Sequence, residues 1–136
     1  MNPQLETFLL VVLAALYLVA LWPRGVRRSR EDSLEFLQAV ELRVEEDSRT
    51  RTVRAPLPIV IGRAPSATLV IPDAQVSRLH ARIDLIDDMP AIRDLDSRNG
   101  TLVNARPIDS PVELREGDEI GIGMTRITFE GIRAWK

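Results

Sequence analysis

The chain has 136 residues, 18 Lys+Arg against 20 Asp+Glu, a formal net charge of −2, one histidine and no cysteine. That length suits one ordinary domain plus a short extension, and the slight negative charge argues against general attraction to nucleic acid. The lack of cysteine excludes disulfides, thiolate catalysis and sulfur-ligated metals. With His80 as the only imidazole, a zinc site would have to rest on carboxylates, so no metal and no cofactor is expected.

The first element is an unbroken apolar run from Phe8 to Trp22, extended by Leu5 across Glu6 and Thr7. As a helix from Leu5 to Trp22 it would be about 27 Å long at ~1.5 Å per residue, within the range of membrane spans. Trp22 suits an interface and Pro23 resists further helix. No Lys or Arg precedes the run, while Arg24, Arg27, Arg28 and Arg30 follow it. The positive-inside rule then puts the N-terminus outside and the rest of the chain in the cytoplasm. A cleaved signal peptide would carry its charges in the opposite order and end in a small-x-small site, which Leu18-Val19-Ala20 fits poorly. The reading is a single-pass anchor at 1–23 and a juxtamembrane linker at 24–35, whose arginines set topology and would also attract anionic head groups.

From residue 36 to 136 the pattern is that of short strands. Ala39 to Glu46 alternates through Val40, Leu42 and Val44. Arg49 to Ala55 is polar and reads as an edge strand. Leu57 to Ile61 runs directly into Gly62-Arg63, and Thr68 to Ile71 is stopped by Pro72-Asp73. His80 to Asp87 alternates, turns at Asp88-Met89 and returns as Pro90 to Leu95. Thr101 to Val103, Val112 to Leu114, Glu119 to Ile122 and Thr125 to Glu130 complete the series. Turn residues recur between these runs and no long helical period appears, which predicts an all-β, antiparallel β-sandwich of about ten to eleven strands, preceded by the one transmembrane helix.

Three motifs fall in the loops of this pattern: Gly62-Arg63, then Ser77-Arg78-Leu79-His80, then Asp94-Leu95-Asp96-Ser97-Arg98-Asn99-Gly100-Thr101, with Gly117-Asp118 later. Each is weak alone; Asn99-Gly100 by itself is an ordinary turn. In this order and spacing they resemble the forkhead-associated (FHA) domain, a phosphothreonine reader, over roughly the last hundred residues. The resemblance implies that Arg63 contacts the phosphate, with Gly62 before it for backbone freedom or close approach. It implies that Ser77 donates to a phosphate oxygen, Arg78 adds a contact, and His80 braces the loop from behind. Asn99 would bond the peptide backbone, with Gly100 and Thr101 forming the turn and strand start. Arg98 stands where the family often has a short hydroxyl residue and would meet phosphate or an acidic peptide residue. Asn104-Ala105 replaces a common asparagine-glycine turn. Alanine at positive φ costs roughly 1 kcal/mol, so a different turn geometry is expected.

Apart from Lys136, every residue in the Lys+Arg count is arginine. The planar guanidinium suits bidentate phosphate contacts, although the bias equally fits a GC-rich coding sequence. Other chemistries match poorly. The stretch after Gly62 has no second glycine and no lysine, so it is not a P-loop. A calcium loop starting at Asp94 would carry Arg98 at its fifth position and Ala105 at its twelfth. Ser77 and His80 could be imagined in a hydrolase, but no nucleophile-elbow motif supports one, and an enzyme is not expected. The sequence therefore points to a phosphothreonine-dependent module held at the cytoplasmic face of the cell membrane. By family analogy its partners are Ser/Thr kinases or their substrates, with no nucleic acid and no small-molecule substrate. The alternative is a phosphate-independent membrane scaffold that binds through the sandwich surface.

Overall fold

The computed structural model describes residues 38–134. The expected anchor and linker, 1–23 and 24–35, lie outside these residues, as do both extremes of the expected 36–136 domain. Among the described residues no helix is long and apolar enough to cross a membrane.

Eleven strands follow one another: β1 (Gln38–Glu46), β2 (Arg49–Pro56), β3 (Ile59–Gly62), β4 (Leu69–Val70), β5 (Ala81–Ile86), β6 (Met89–Asp94), β7 (Leu102–Val103), β8 (Arg106–Pro107), β9 (Val112–Glu113), β10 (Glu119–Ile122) and β11 (Thr125–Ala134). They form a six-stranded sheet in the order β2-β1-β11-β10-β7-β8 and a five-stranded sheet in the order β4-β3-β5-β6-β9. The period-two alternation places Val40, Leu42 and Val44 of β1, and Ile127 and Phe129 of β11, on one inner face. Ile59 and Ile61 of β3, Ile83 of β5 and Ile92 of β6 line the other. Each such side chain removed from water contributes about 1.5–3 kcal/mol, and together they form one core between the sheets. The polar strand β2 is an edge, as its composition implies.

Three features differ from the sequence-based expectation. The sandwich is not wholly antiparallel, because β4 pairs with β3 in parallel, Ile61 opposite Leu69 and Gly62 opposite Val70. A tight return at Ala64–Ala67 (Ala67 N–H to Ala64 C=O, 3.0 Å) carries the chain back beside β3 rather than across a hairpin. Strand β11 does not stop at Glu130. Gly131, at φ +110, absorbs a bulge opposite Glu41, and pairing with β1 resumes through Ala134; a glycine inside a strand marks such a bulge.

The third concerns the β7–β8 hairpin, whose second strand, Arg106–Pro107, was not among the expected ones because it is so short. Asn104 (φ +50) and Ala105 (φ +65) both adopt positive φ, the two-residue geometry that glycine normally serves. The alanine is accepted because Asn104 is held from three directions. Its N–H donates to the Glu119 carbonyl (2.8 Å), its Oδ1 accepts from the Glu119 N–H (3.0 Å), and its Nδ2 reaches Asp118 Oδ1 (3.0 Å). Replacing Ala105 by glycine relieves the left-handed strain, and Ala105→Gly is expected to raise stability by about 1 kcal/mol. Chemical denaturation of the two proteins checks this, and an unchanged or lower midpoint contradicts it.

Candidate functional site

The strand ends place three loops side by side at one end of the sandwich: the exit of β3, residues 72–80, and residues 95–101. Gly62 makes the first junction possible. A Cβ there would lie 2.1 Å from the Arg78 carbonyl oxygen, so close approach, and not positive φ, is what the glycine provides. Two backbone bonds seal the contact, Arg63 N–H to the Ser77 carbonyl and Ala64 N–H to the Arg78 carbonyl, both 3.0 Å.

His80 joins all three segments from behind and is fully buried. Its Nδ1 accepts the Ser77 N–H at 3.0 Å, so Nε2 carries the proton and donates to the Gly100 carbonyl at 2.9 Å. Its own N–H bonds the Ile61 carbonyl and its carbonyl receives the Leu95 N–H. Both ring nitrogens are thus committed to the backbone, leaving neither to take a proton from Ser77 Oγ. That removes the geometric basis for a serine–histidine nucleophile.

In front of this brace lies an open cleft of about 620 Å³ lined by Arg63, Ser77, Arg78, Arg98 and Asn99, with residues 74–76 between them. All five side chains singled out in the sequence for contact with a phosphopeptide therefore meet at one place. Arg63 Nε donates to the Val76 carbonyl at 3.2 Å, which aims the guanidinium while its terminal amino groups bond no other described residue. Ser77 Oγ accepts the Arg98 N–H at 3.0 Å, so its own O–H is left to donate elsewhere. Asn99 Nδ2 holds the Gln75 carbonyl at 2.7 Å, tying the third loop to the second. The side chains of Arg78 and Arg98 are exposed and form no ion pair with any described residue. Among the described residues no cluster of three His, Asp or Glu is arranged to hold a metal.

Two carboxylates do structural work that motif matching did not assign. Asp94 accepts from Ser97 Oγ, Ser97 N (2.9 Å) and Thr101 Oγ1 (2.7 Å), while Ser97 Oγ receives the Gly100 N–H (3.0 Å). The third loop is thereby wound around one carboxylate. The spacing Asp94-x-x-Ser97, typical of side chains that bond nearby backbone, is the signal that could have revealed it. Asp73 does the same for the second loop, accepting from Gln75 N (2.8 Å) and from Met124 N (2.7 Å) in the β10–β11 turn.

Burial acts to raise the Asp94 pKa, but the Ser97 and Thr101 hydroxyls and the Ser97 N–H together outweigh it and hold the carboxyl below its ordinary value. A depressed folded value means that this carboxylate stabilises the fold above the unfolded pKa of about 3.9, and that the contribution disappears as pH falls through the folded value. Asp94→Asn should therefore be less stable than the parent at neutral pH and lose less stability on acidification below about pH 4. Thermal unfolding followed from pH 7 to pH 2 provides the comparison; parallel profiles for the two proteins contradict the assignment.

A family model for the FHA domain matches residues 59–123. The chain is 43% identical over 68 residues to the glycogen accumulation regulator GarA of Mycobacterium tuberculosis, an alignment that covers 50% of this chain and 41% of GarA. It thus spans less than half the length of that relative. Among solved structures, an FHA domain from a structural and functional analysis of phosphothreonine-dependent FHA interactions aligns at 33% identity with a TM-score of 0.57, covering 72% of this chain and 98% of that one. Mycobacterium tuberculosis EmbR, in complex with a low-affinity phosphopeptide, aligns at 33% identity with a TM-score of 0.60, covering 68% of this chain and 24% of EmbR.

Proposed function

The chain belongs to the FHA-domain family, and on that premise we propose that it is a phosphothreonine-dependent binding module. The observation that carries the reading is where the uncommitted guanidinium groups lie. Arg43, Arg51, Arg54, Arg82, Arg93, Arg115, Arg126 and Arg133 each sit within ion-pair distance of a carboxylate. Five described arginines have no such partner: Arg63, Arg78 and Arg98, which all line the cleft, and Arg49 and Arg106, which lie apart from it. A phosphothreonine brings a charge of about −1.5 to −2 and three strong acceptor oxygens. Arg63 and Arg78 supply charge-assisted donors to it, Ser77 Oγ adds a hydroxyl donor, and Asn99 pairs with the backbone beside it. Arg98, the departure from the usual short hydroxyl residue, adds a third positive charge. The loops are already cross-braced, so little ordering entropy is lost on binding. The module performs no chemistry of its own.

Binding of the full chain to phosphothreonine peptides, measured against their unphosphorylated forms, tests the reading. Arg63→Ala is expected to weaken phosphopeptide binding roughly tenfold to a hundredfold, the scale of a lost hydrogen bond to a charged group. Equal affinity for both peptide forms, or an unaffected Arg63→Ala variant, would favour the phosphate-independent scaffold.

The proposal also keeps the module at the membrane. The apolar run from Phe8 to Trp22 and the arginines after it support a single-pass anchor with the FHA domain on the cytoplasmic side. The partners of an anchored domain would be Ser/Thr kinases or their substrates. Carbonate extraction of membranes should leave the full chain in the pellet; recovery in the supernatant overturns the anchor.

A further inference from the structure

A second concavity, of about 550 Å³, lies between the β1–β2 turn, residues 71–74 and the β10–β11 turn. Ala74 lines both this space and the arginine-bearing cleft, so the two share a wall. Their chemistry is opposite. The second cleft has the carboxylates of Glu46, Asp47 and Asp73 on its lining against the single guanidinium of Arg49. Glu46 is paired with Arg51 at 3.1 Å. Asp47, in the tight turn at φ +46, has no ion-pair partner among the described residues. The N–H groups of Met124 and Gln75 hold the Asp73 carboxyl below its ordinary pKa.

The apolar part of the lining is Ile71, Pro72, Ala74 and Met124, of which Met124 is 74% exposed and the most exposed large hydrophobic side chain among the described residues. Its backbone is fixed even though its side chain is free. The Met124 N–H donates to Asp73 Oδ2, and Gly123, at φ +57, packs so tightly that a Cβ would lie 2.5 Å from Asp73 Oδ2 and 3.0 Å from Val76 Cγ2. The turn is thereby fastened to the loop whose far side forms the phosphate cleft. A methionine displayed on a rigid turn is a soft, adaptable contact for another apolar side chain.

We propose that the second cleft receives the residues flanking the phosphothreonine, and that it favours a basic side chain next to an apolar one. This rests on the phosphothreonine reading and adds the chemistry of the partner segment. The ligand is then an extended, bipolar stretch of a partner protein, with the phosphate held among Arg63, Arg78 and Arg98 and the cationic residue held by Asp47 and Asp73. Because the clefts share a wall, and an extended chain advances about 3.3–3.6 Å per residue, the two features lie within a few residues of each other. Opposite charge on the two halves also fixes the direction in which the segment lies across the loop.

The test is a positional scan with phosphothreonine peptides whose flanking positions are varied one at a time, applied to the full chain. Enrichment of Lys or Arg at one or two flanking positions, with an apolar residue beside them, is expected. Asp47→Asn, which removes the charge and keeps a residue tolerant of positive φ, and Met124→Ala should each lower affinity for the selected peptide by roughly threefold to tenfold. Both variants should bind a phosphothreonine peptide with alanine flanks as the parent does. A flat scan, or a basic preference that survives both substitutions, overturns the second cleft while leaving the phosphate clamp intact. Loss of all phosphopeptide binding by the parent overturns both.

Discussion

The site depends on one buried imidazole. His80 joins all three segments: its ring accepts from the Ser77 N–H and donates to the Gly100 carbonyl, and its peptide N–H bonds the Ile61 carbonyl at the exit of β3. Burying an imidazole fully is tolerable only when both nitrogens are satisfied, since an unpaired buried polar group costs about 1–3 kcal/mol. The converse is that the loops have few other ways to satisfy it. The Ser77 N–H and the Gly100 carbonyl must stand where they do, and this sets the positions of the neighbouring Arg78 and Asn99. A chemically inert residue thus determines the geometry of the cleft.

The remaining bonds continue the same arrangement outward. Gly62 lets the exit of β3 touch the second loop, Asn99 ties the third loop to Gln75, and Asp94 and Asp73 each gather local donors. Arg63 is steered by the Val76 carbonyl without being neutralised. The Arg63 charge is consequently held in place yet unpaired among the described residues. Most arginines on the strands, by contrast, sit beside a carboxylate.

Much of the fold was legible because β periodicity is a local signal. The alternation from Ala39 to Glu46 and from His80 to Asp87 gave strands within a residue or two of their bounds, and the polar composition of Arg49 to Ala55 marked an edge. What escaped were features fixed by distant partners. The parallel pairing of β4 depends on the return at Ala64–Ala67, and the continuation of β11 past Gly131 depends on the partner strand β1. The positive φ at Ala105 depends on Asn104 being held by Asp118 and Glu119, so local cost alone gave the wrong turn. At the site, the motif residues were visible from their order and type. The role of Asp94 was marked only by the Asp94-x-x-Ser97 spacing, and that of Asp73 was hidden because its partner Met124 lies 51 residues along the chain.

The sequence by itself determined most of the strand series, the family resemblance and the residues that line the cleft, since these reside in residue type and spacing along the chain. The tertiary structure alone decided that Gly62 is needed for contact with the Arg78 carbonyl, that His80 holds one tautomer with no free nitrogen, and that an acidic cleft adjoins the basic one. Each of these joins groups far apart in sequence, and their energies depend on distances of a few ångströms that only the packed sheets impose.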